Sequence, residues 1–322
     1  MTPKRILVTG ASGCVGHYIA DTLIQQTSHE LFLLVRDPQK LRVNCEARDG
    51  VHVIQGNMHD IERFSKLLKT IDVAVLTAAV WGGAAEVFDV NVVKTIRLMN
   101  LLDPEVCEQV IYFSTASILD QDNQPLKQAR EIGTDYIRSK YDCHQRLAKL
   151  AIAPQITTVF PTLVFGGDDT KPYSHLSADL PNISKWINLA RFFKLEGSFH
   201  FIHGQDIAQV IAHLIDHPPA ADESRELVLG GHPVTANQAI EAVCAYLGKR
   251  IYLRFPLSQQ LTKVFIALFR IQMAAWDRFC LNYRHFTYRH AVSPETYNLP
   301  MRCPTVADLL NERGIASRRL QK

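Results

Sequence analysis

Apolar positions in the first half of the chain follow two alternating periods. Short β-branched and aliphatic runs stand at Arg5–Thr9, Leu31–Arg36, Val51–Gln55, Asp72–Thr77, Gln109–Ser114 and Thr157–Phe160. Segments with helical spacing lie between them, near Val15–Gln26, Ile61–Lys69, Ala85–Leu102 and Tyr136–Ala151. Strands alternating with helices predict a parallel sheet covered on both faces, joined by right-handed crossovers. The expected fold class is therefore α/β, a doubly wound sheet.

Beyond Phe165 the rhythm loosens. Gly166–Pro181 is rich in Gly, Asp, Pro and Ser and reads as a loop. Helices are predicted at Ser184–Lys194 and Gln205–Asp216, and a strand at Glu226–Leu229. Thr235 and Gln238 form a capping-box signature for a helix to Tyr246, with Gly248 as its stop. Leu257–Asn282 reads as one long apolar helix with its apolar face inward. A last helix is predicted at Thr305–Arg313, ended by Gly314. This later part forms a smaller C-terminal lobe.

Composition narrows the function classes. The chain has 322 residues, 47% hydrophobic and 21% charged, enough to bury a full core. That excludes a disordered or collagen-like chain. Lys and Arg number 35 against 32 Asp and Glu, a net charge of +3, so nucleic acid is not an expected partner. The seven cysteines are scattered without a CxxC, which predicts free thiols in a reducing compartment. No leader pattern opens the chain and no apolar run reaches a membrane-spanning length, so a cytoplasmic location without membrane contact is expected. His200, His203 and His232 lack converging partners at ligand spacing, and no metal is expected.

The first predicted strand runs into Thr9-Gly10-Ala11-Ser12-Gly13-Cys14-Val15-Gly16. Glycines at this spacing are consistent with a tight strand-to-helix turn. They also let backbone approach a pyrophosphate held at the helix N-terminus, and the position after the first strand favours that use. At the end of the second strand an acid suits a ribose hydroxyl and an arginine suits a 2′-phosphate. Arg36 stands in line there with Lys40 close behind, which predicts NADP; Asp37 beside it keeps NAD open.

Tyr136 and Lys140 are four residues apart and share one helix face. A lysine beside a phenol favours the phenolate and is expected to lower the tyrosine pKa for acid/base work. Upstream stands Tyr112-Phe-Ser-Thr115-Ala-Ser117. With TGASGCVG at 9–16, GNMHD at 56–60, TAA at 77–79, Asp89-Val-Asn91, FPTLVFGG at 160–167 and HFIHGQDIAQ at 200–209, the chain resembles the extended short-chain dehydrogenase/reductases, the NAD-dependent epimerase/dehydratase group.

That resemblance implies a Rossmann-type fold and a set of roles. Thr115 corresponds to the hydroxyl that polarises the substrate carbonyl, Tyr136 to the general acid/base, and Lys140 to the partner of the nicotinamide ribose. Gly10, Ser12, Gly13, Cys14, Val15 and Gly16 would line the pyrophosphate, with Arg36 and Lys40 at the adenosine ribose. Asn57 and Met58 fall at the adenine, and Ala78 and Ala79 on the cofactor's path. Asn91 falls at an active-site asparagine, and Pro161 and Thr162 at the carboxamide. His203 and Asp206 match a helix start, the aspartate as its cap. The implied division is 1–165 for the dinucleotide, with returning elements near 200–230, and 166–199 and 231–322 for the substrate.

Departures from the family pattern matter. Leu119-Asp120 replaces the usual Tyr-Gly, and Phe160 replaces an arginine tied to phosphorylated substrates. Ala116 and Ser117 stand where sugar dehydratases carry an acid pair. The implied activity is an NADP-dependent oxidoreductase acting on a small molecule. An epimerase using the same residues, and a non-catalytic cofactor-binding scaffold, are the alternatives. Homodimers of such proteins pair through the helices matching 85–102 and 136–151.

Overall fold

A computed structural model describes residues 2–220, 222–257 and 272–318. Seven parallel strands form the central sheet: β1 (Arg5–Thr9), β2 (Glu30–Val35), β3 (Val51–Gln55), β4 (Val73–Leu76), β5 (Gln109–Phe113), β6 (Ile156–Pro161) and Glu226–Leu229. Their spatial order is Glu226–Leu229, β6, β5, β4, β1, β2, β3. β1 pairs with β2 on one side, Ile6 beside Leu31, and with β4 on the other, Ile6 beside Val73. The inner strands are buried along nearly their whole length because helices cover both faces. β3 carries His52 and Gln55 exposed, as an edge strand should.

On one face, helix α1 (Cys14–Gln26) packs against the returning helix Gly204–Asp216. Ile19, Leu23, Ile207 and Ile211 fill that layer. On the other face, Leu98, Met99, Cys143 and Leu147 close over Leu7, Ala74 and Tyr112. The lobe packs helices Ile183–Ala190, Ala236–Tyr246 and Val306–Glu312 around Ile187, Val243 and Leu310. Its predicted capping box is present: Thr235 Oγ1 accepts from Gln238 N at 3.2 Å, and Gln238 Oε1 accepts from Thr235 N at 2.8 Å.

Several predicted elements differ. The helix expected at 85–102 is three pieces: α-helical Ala84–Phe88, a π-helical Asp89–Lys94, and α-helical Thr95–Leu101. The helix at 61–69 is mostly 3₁₀, Met58–Phe64, with one α-turn at Ser65–Leu68. The loop 166–181 contains a short helix, His175–Asp179, capped by Ser174. Helix Ile183–Ala190 stops early, and Phe193–Lys194 is instead a strand pairing with Phe255–Pro256. The prediction of one unbroken helix at 257–282 is corrected: residues 272–274 are non-helical, and among the described residues of that span the helical ones belong to Ala275–Tyr283. Residues 258–271 of that prediction lie outside the described residues. No helix among the described residues is long and apolar enough to cross a membrane.

Candidate active site

The sequence-predicted residues gather at the carboxyl ends of the central strands. The order reverses between β1 and β4, the switch point where an open α/β sheet offers a crevice. Gly10 leaves β1 at φ +69°, and a Cβ there would stand 2.7 Å from Ala78 N. A Cβ on Gly16 would stand 2.1 Å from Gly10 O, so only glycine lets α1 start this close to its own loop. Gly13 is the N-cap without a side-chain cap bond, and no acid lies in the first turn. Uncapped N–H groups and the positive end of the dipole thus face the crevice, and the residues present fit a bound pyrophosphate.

The neighbouring strand ends complete the rim. Thr77 Oγ1 donates to Thr9 O at 2.6 Å, tying Ala78 and Ala79 to the glycine loop. Arg36 is exposed past β2 and forms no ion pair among the described residues. Asp37 is turned into its own 3₁₀ turn, accepting from Gln39 N at 3.1 Å. Lys40, expected to reinforce Arg36, instead faces Asp37 at 4.0 Å and is exposed. Asn57 closes a turn by accepting from His59 N, while the Met58 side chain joins the core rather than the crevice. Cys14 is half-buried, and desolvation pushes its thiol up to about 12, so it stays protonated. Thr162 donates to Leu229 O at 2.9 Å beside the end of β6.

Helix Asp135–Leu147 carries Tyr136 and Lys140, with Thr134 Oγ1 capping Ile137 N. Lys140 is 2% exposed. Its Nζ donates to Phe113 O at 2.7 Å and lies 5.8 Å from the Tyr136 ring centre. Burial lowers its pKa to about 8. The expectation of a lowered Tyr136 pKa is corrected here: burial drives it above the ordinary tyrosine range. Desolvation outweighs the lysine because Nζ faces the Phe113 carbonyl, not the phenol oxygen. Thr115 follows β5 and caps the next turn, its Oγ1 accepting from Ser117 N at 3.4 Å. Among the described residues no hydrogen bond joins it to Tyr136.

Asn91 works from behind the crevice rather than in it. It is fully buried on the π-turn, a common site of functional helix irregularity. Its Oδ1 accepts from Val80 N and its Nδ2 donates to Val80 O, both at 2.9 Å. Nδ2 also donates to Ser139 Oγ at 3.0 Å, and Ser139 donates to Tyr136 O at 2.7 Å. Asn91 thus supports the site as a clamp, joining Val80 to the turn that carries Tyr136. The expected capping role of Asp206 is corrected. The helix cap is His203, which accepts from Gln205 N, while Asp206 accepts from Arg302 N at 2.5 Å.

A model of the NAD dependent epimerase/dehydratase family matches residues 6–230. The chain belongs to that family. The expected Rossmann-type sheet and NAD(P)-dependent enzyme class follow from this membership and the parallel sheet. Within the NAD dependent epimerase/dehydratase proteins, a UDP-glucose 4-epimerase of Vibrio cholerae is 24% identical over 286 residues, 83% of each chain. The terminal R domain of the myxalamid PKS-NRPS pathway superposes with TM-score 0.70 at 16% identity, over 97% of this chain and 90% of that one. The dTDP-glucose 4,6-dehydratase of Bacillus anthracis, solved with NAD, gives 0.62 at 14% identity, over 97% and 96%.

Sequence reasoning missed Trp81. Its ring stacks on Tyr136, centroids 3.7 Å apart. The available signal was a tryptophan two residues past the predicted cofactor alanines and directly before Gly82-Gly83. It also missed Tyr18, whose hydroxyl accepts from Gly167 N at 2.9 Å and ties α1 to the loop after Phe165.

Proposed function

We propose that this chain is an NADP(H)-dependent oxidoreductase that interconverts a carbonyl and a hydroxyl carbon. The observation that carries the reading is the buried Lys140 ammonium, one helical turn from Tyr136 and bonded to the carbonyl of Phe113, two residues before Thr115 at the end of β5. An ammonium has three donors. One is spent on Phe113 O, which leaves donors for ribose hydroxyls.

The glycine loop and α1 N-terminus would hold the pyrophosphate, and Arg36 the 2′-phosphate. Asn57 and the backbone of Met58 would border the adenine, Ala78 and Ala79 the middle of the dinucleotide, and Pro161 and Thr162 the carboxamide. When bound, the nicotinamide supplies or accepts the hydride. Thr115 Oγ1 donates a hydrogen bond to the substrate oxygen. Tyr136 is held protonated by its surroundings, so in carbonyl reduction its hydroxyl delivers the proton to that oxygen. Asp37 is occupied by its own turn, which supports NADP over NAD.

Similarity to a UDP-glucose 4-epimerase over most of both chains supports a second reading, transient oxidation and re-reduction with the same residues. A dehydratase is disfavoured, because Ala116 and Ser117 supply neither acid nor base.

Calorimetric titration with both cofactors, together with mass spectrometry of co-purified ligands, tests the proposal. NADP(H) binds more tightly than NAD(H), and a carbonyl panel consumes NADPH. Tighter NAD(H) binding sinks the cofactor assignment. A 4-keto-6-deoxy product from a nucleotide sugar sinks the reading of the site.

A further inference from the structure

The Trp81 ring lies on the Tyr136 ring with planes 11° from parallel, and the edge of His175 meets the same indole at 5.2 Å. Trp81 is nevertheless 59% exposed. A large aromatic surface left in water beside the proposed proton donor is not explained by core packing.

The chain around it allows one residue to move. Val80 is clamped at both its N–H and its C=O by the buried Asn91 amide. On the other side, a Cβ at Gly82 would meet nothing within 4 Å, and Gly83 sits at φ +82°. Through Ser139, Asn91 also holds the turn that carries Tyr136. One amide therefore sets the base of Trp81 and the position of Tyr136, and the indole can leave the phenol without shifting either anchor. From Leu76 through Ala85 the chain has no charged side chain, and the first charge, Glu86, pairs with His59 at 3.0 Å.

We propose that the space Trp81 fills on Tyr136 is a subsite for a planar, uncharged ring of the carbonyl substrate. The indole caps the phenol in the free protein and gives up that face to the incoming ring. The inference rests on Tyr136 being the proton donor of the proposed oxidoreductase. An aromatic pair contributes about 0.5–1.5 kcal/mol beyond its buried area, so an incoming ring replaces the stack like for like. A puckered ring of the same size cannot stack in this way. A neutral ring suits this wall, because the nearby Lys140 ammonium, 5.8 Å from the Tyr136 ring centre, is already bonded to Phe113 O and assigned to the ribose hydroxyls, and the Trp81 segment itself brings no charge to offset a buried anion. In an aryl ketone the carbonyl lies near the ring plane, so a ring stacked at this face carries its oxygen toward the phenol rim.

The test uses the full chain with NADP⁺ and two probes, acetophenone and cyclohexyl methyl ketone, titrated by ligand-observed NMR. The unmodified protein prefers acetophenone by roughly two- to tenfold, the fold-change equivalent of one stack. Trp81→Ala, whose Tyr136 face is already open, keeps the preference and binds acetophenone more tightly than the unmodified protein, whereas Tyr136→Leu, which removes the stacking face, loses the preference. Without ligand, tyrosinate absorbance read against Tyr136→Phe shows Tyr136 ionising at lower pH in Trp81→Ala, with a smaller shift in Trp81→Phe. Equal affinity for the two ketones, or a preference unchanged in Tyr136→Leu, overturns the subsite. The substrate assignment is also overturned if NADP⁺ alone displaces the indole and 2′-phospho-ADP-ribose does not, since the ring is then nicotinamide. Dinucleotide binding is scored separately by calorimetry. Its absence strikes the oxidoreductase reading, whereas dinucleotide binding without a ketone preference strikes only the subsite.

Discussion

Lys140 reaches from its helix to the last carbonyl of β5, its buried ammonium donating to Phe113 O across 2.7 Å. Replacing a buried charge by an apolar side chain of similar volume is often neutral or stabilising. Lys140→Met is therefore expected to leave the urea midpoint unchanged or raised. Dinucleotide affinity falls about 10–100-fold, the worth of a charged hydrogen bond. Because burial lowers this ammonium to about 8, affinity in the unmodified protein weakens as pH rises through that value. A calorimetric pH series that stays flat in the unmodified protein contradicts the role.

Tyr136→Phe keeps the ring, and with it the stack against Trp81, while removing the hydroxyl. Turnover is expected to drop by about 10²–10⁴-fold with cofactor affinity retained. Stopped-flow measurement of NADPH oxidation reads the first quantity and calorimetry the second. Near-normal turnover removes Tyr136 from the mechanism.

Arg36 projects past β2 without an ion-pair partner among the described residues, ready to grip phosphate oxygens. NADP(H) is expected to bind about 10–100-fold more tightly than NAD(H). Arg36→Asp reverses that order, since a carboxylate repels the phosphate and accepts from ribose hydroxyls. Equal affinities before substitution would place the guanidinium in solvent.

Asn91→Ala leaves the Val80 N–H and C=O without their partners behind the crevice. The cost to folding is about 2–3 kcal/mol, measured by urea denaturation. The Trp81 loop loses its anchor at the same time, so Trp81 fluorescence becomes more accessible to iodide. A stable variant with unchanged quenching argues against the clamp.

Three histidines are held neutral by burial, and one ring nitrogen of each accepts a backbone N–H. His203 accepts from Gln205 N, His17 from Arg42 N at 3.1 Å, and His200 from Tyr288 N at 3.2 Å. Burial lowers all three, His203 to about 4. The unfolded chain binds these protons near pH ~6.5, so stability is full above that value and declines as pH falls toward about 4. His203 alone accounts for about 3 kcal/mol of the decline. Urea midpoints along this pH range check it, and His203→Asn, which retains a cap acceptor, flattens the curve.

The chain's hydrophobic periods alone determined the parallel core. β1 and β3 run over the predicted residues, and the Thr235–Gln238 box caps its helix, because buried strands and caps are set by local pattern and nearest neighbours. The glycine loop and the Tyr136–Lys140 face were legible for the same reason: each is a short-range spacing. Tertiary structure decided the rest. The π-turn at Asp89–Lys94 exists where Asn91 must reach both Val80 and Ser139, contacts 11 and 48 residues away in sequence that no helical period encodes. The fate of Tyr136 was decided there too. A lysine at i+4 predicts a lowered pKa, but which atom that lysine faces, and which ring lies over the phenol, depend on β5 and on the loop after β4. Desolvation by distant chain reverses the sign that local spacing alone suggests.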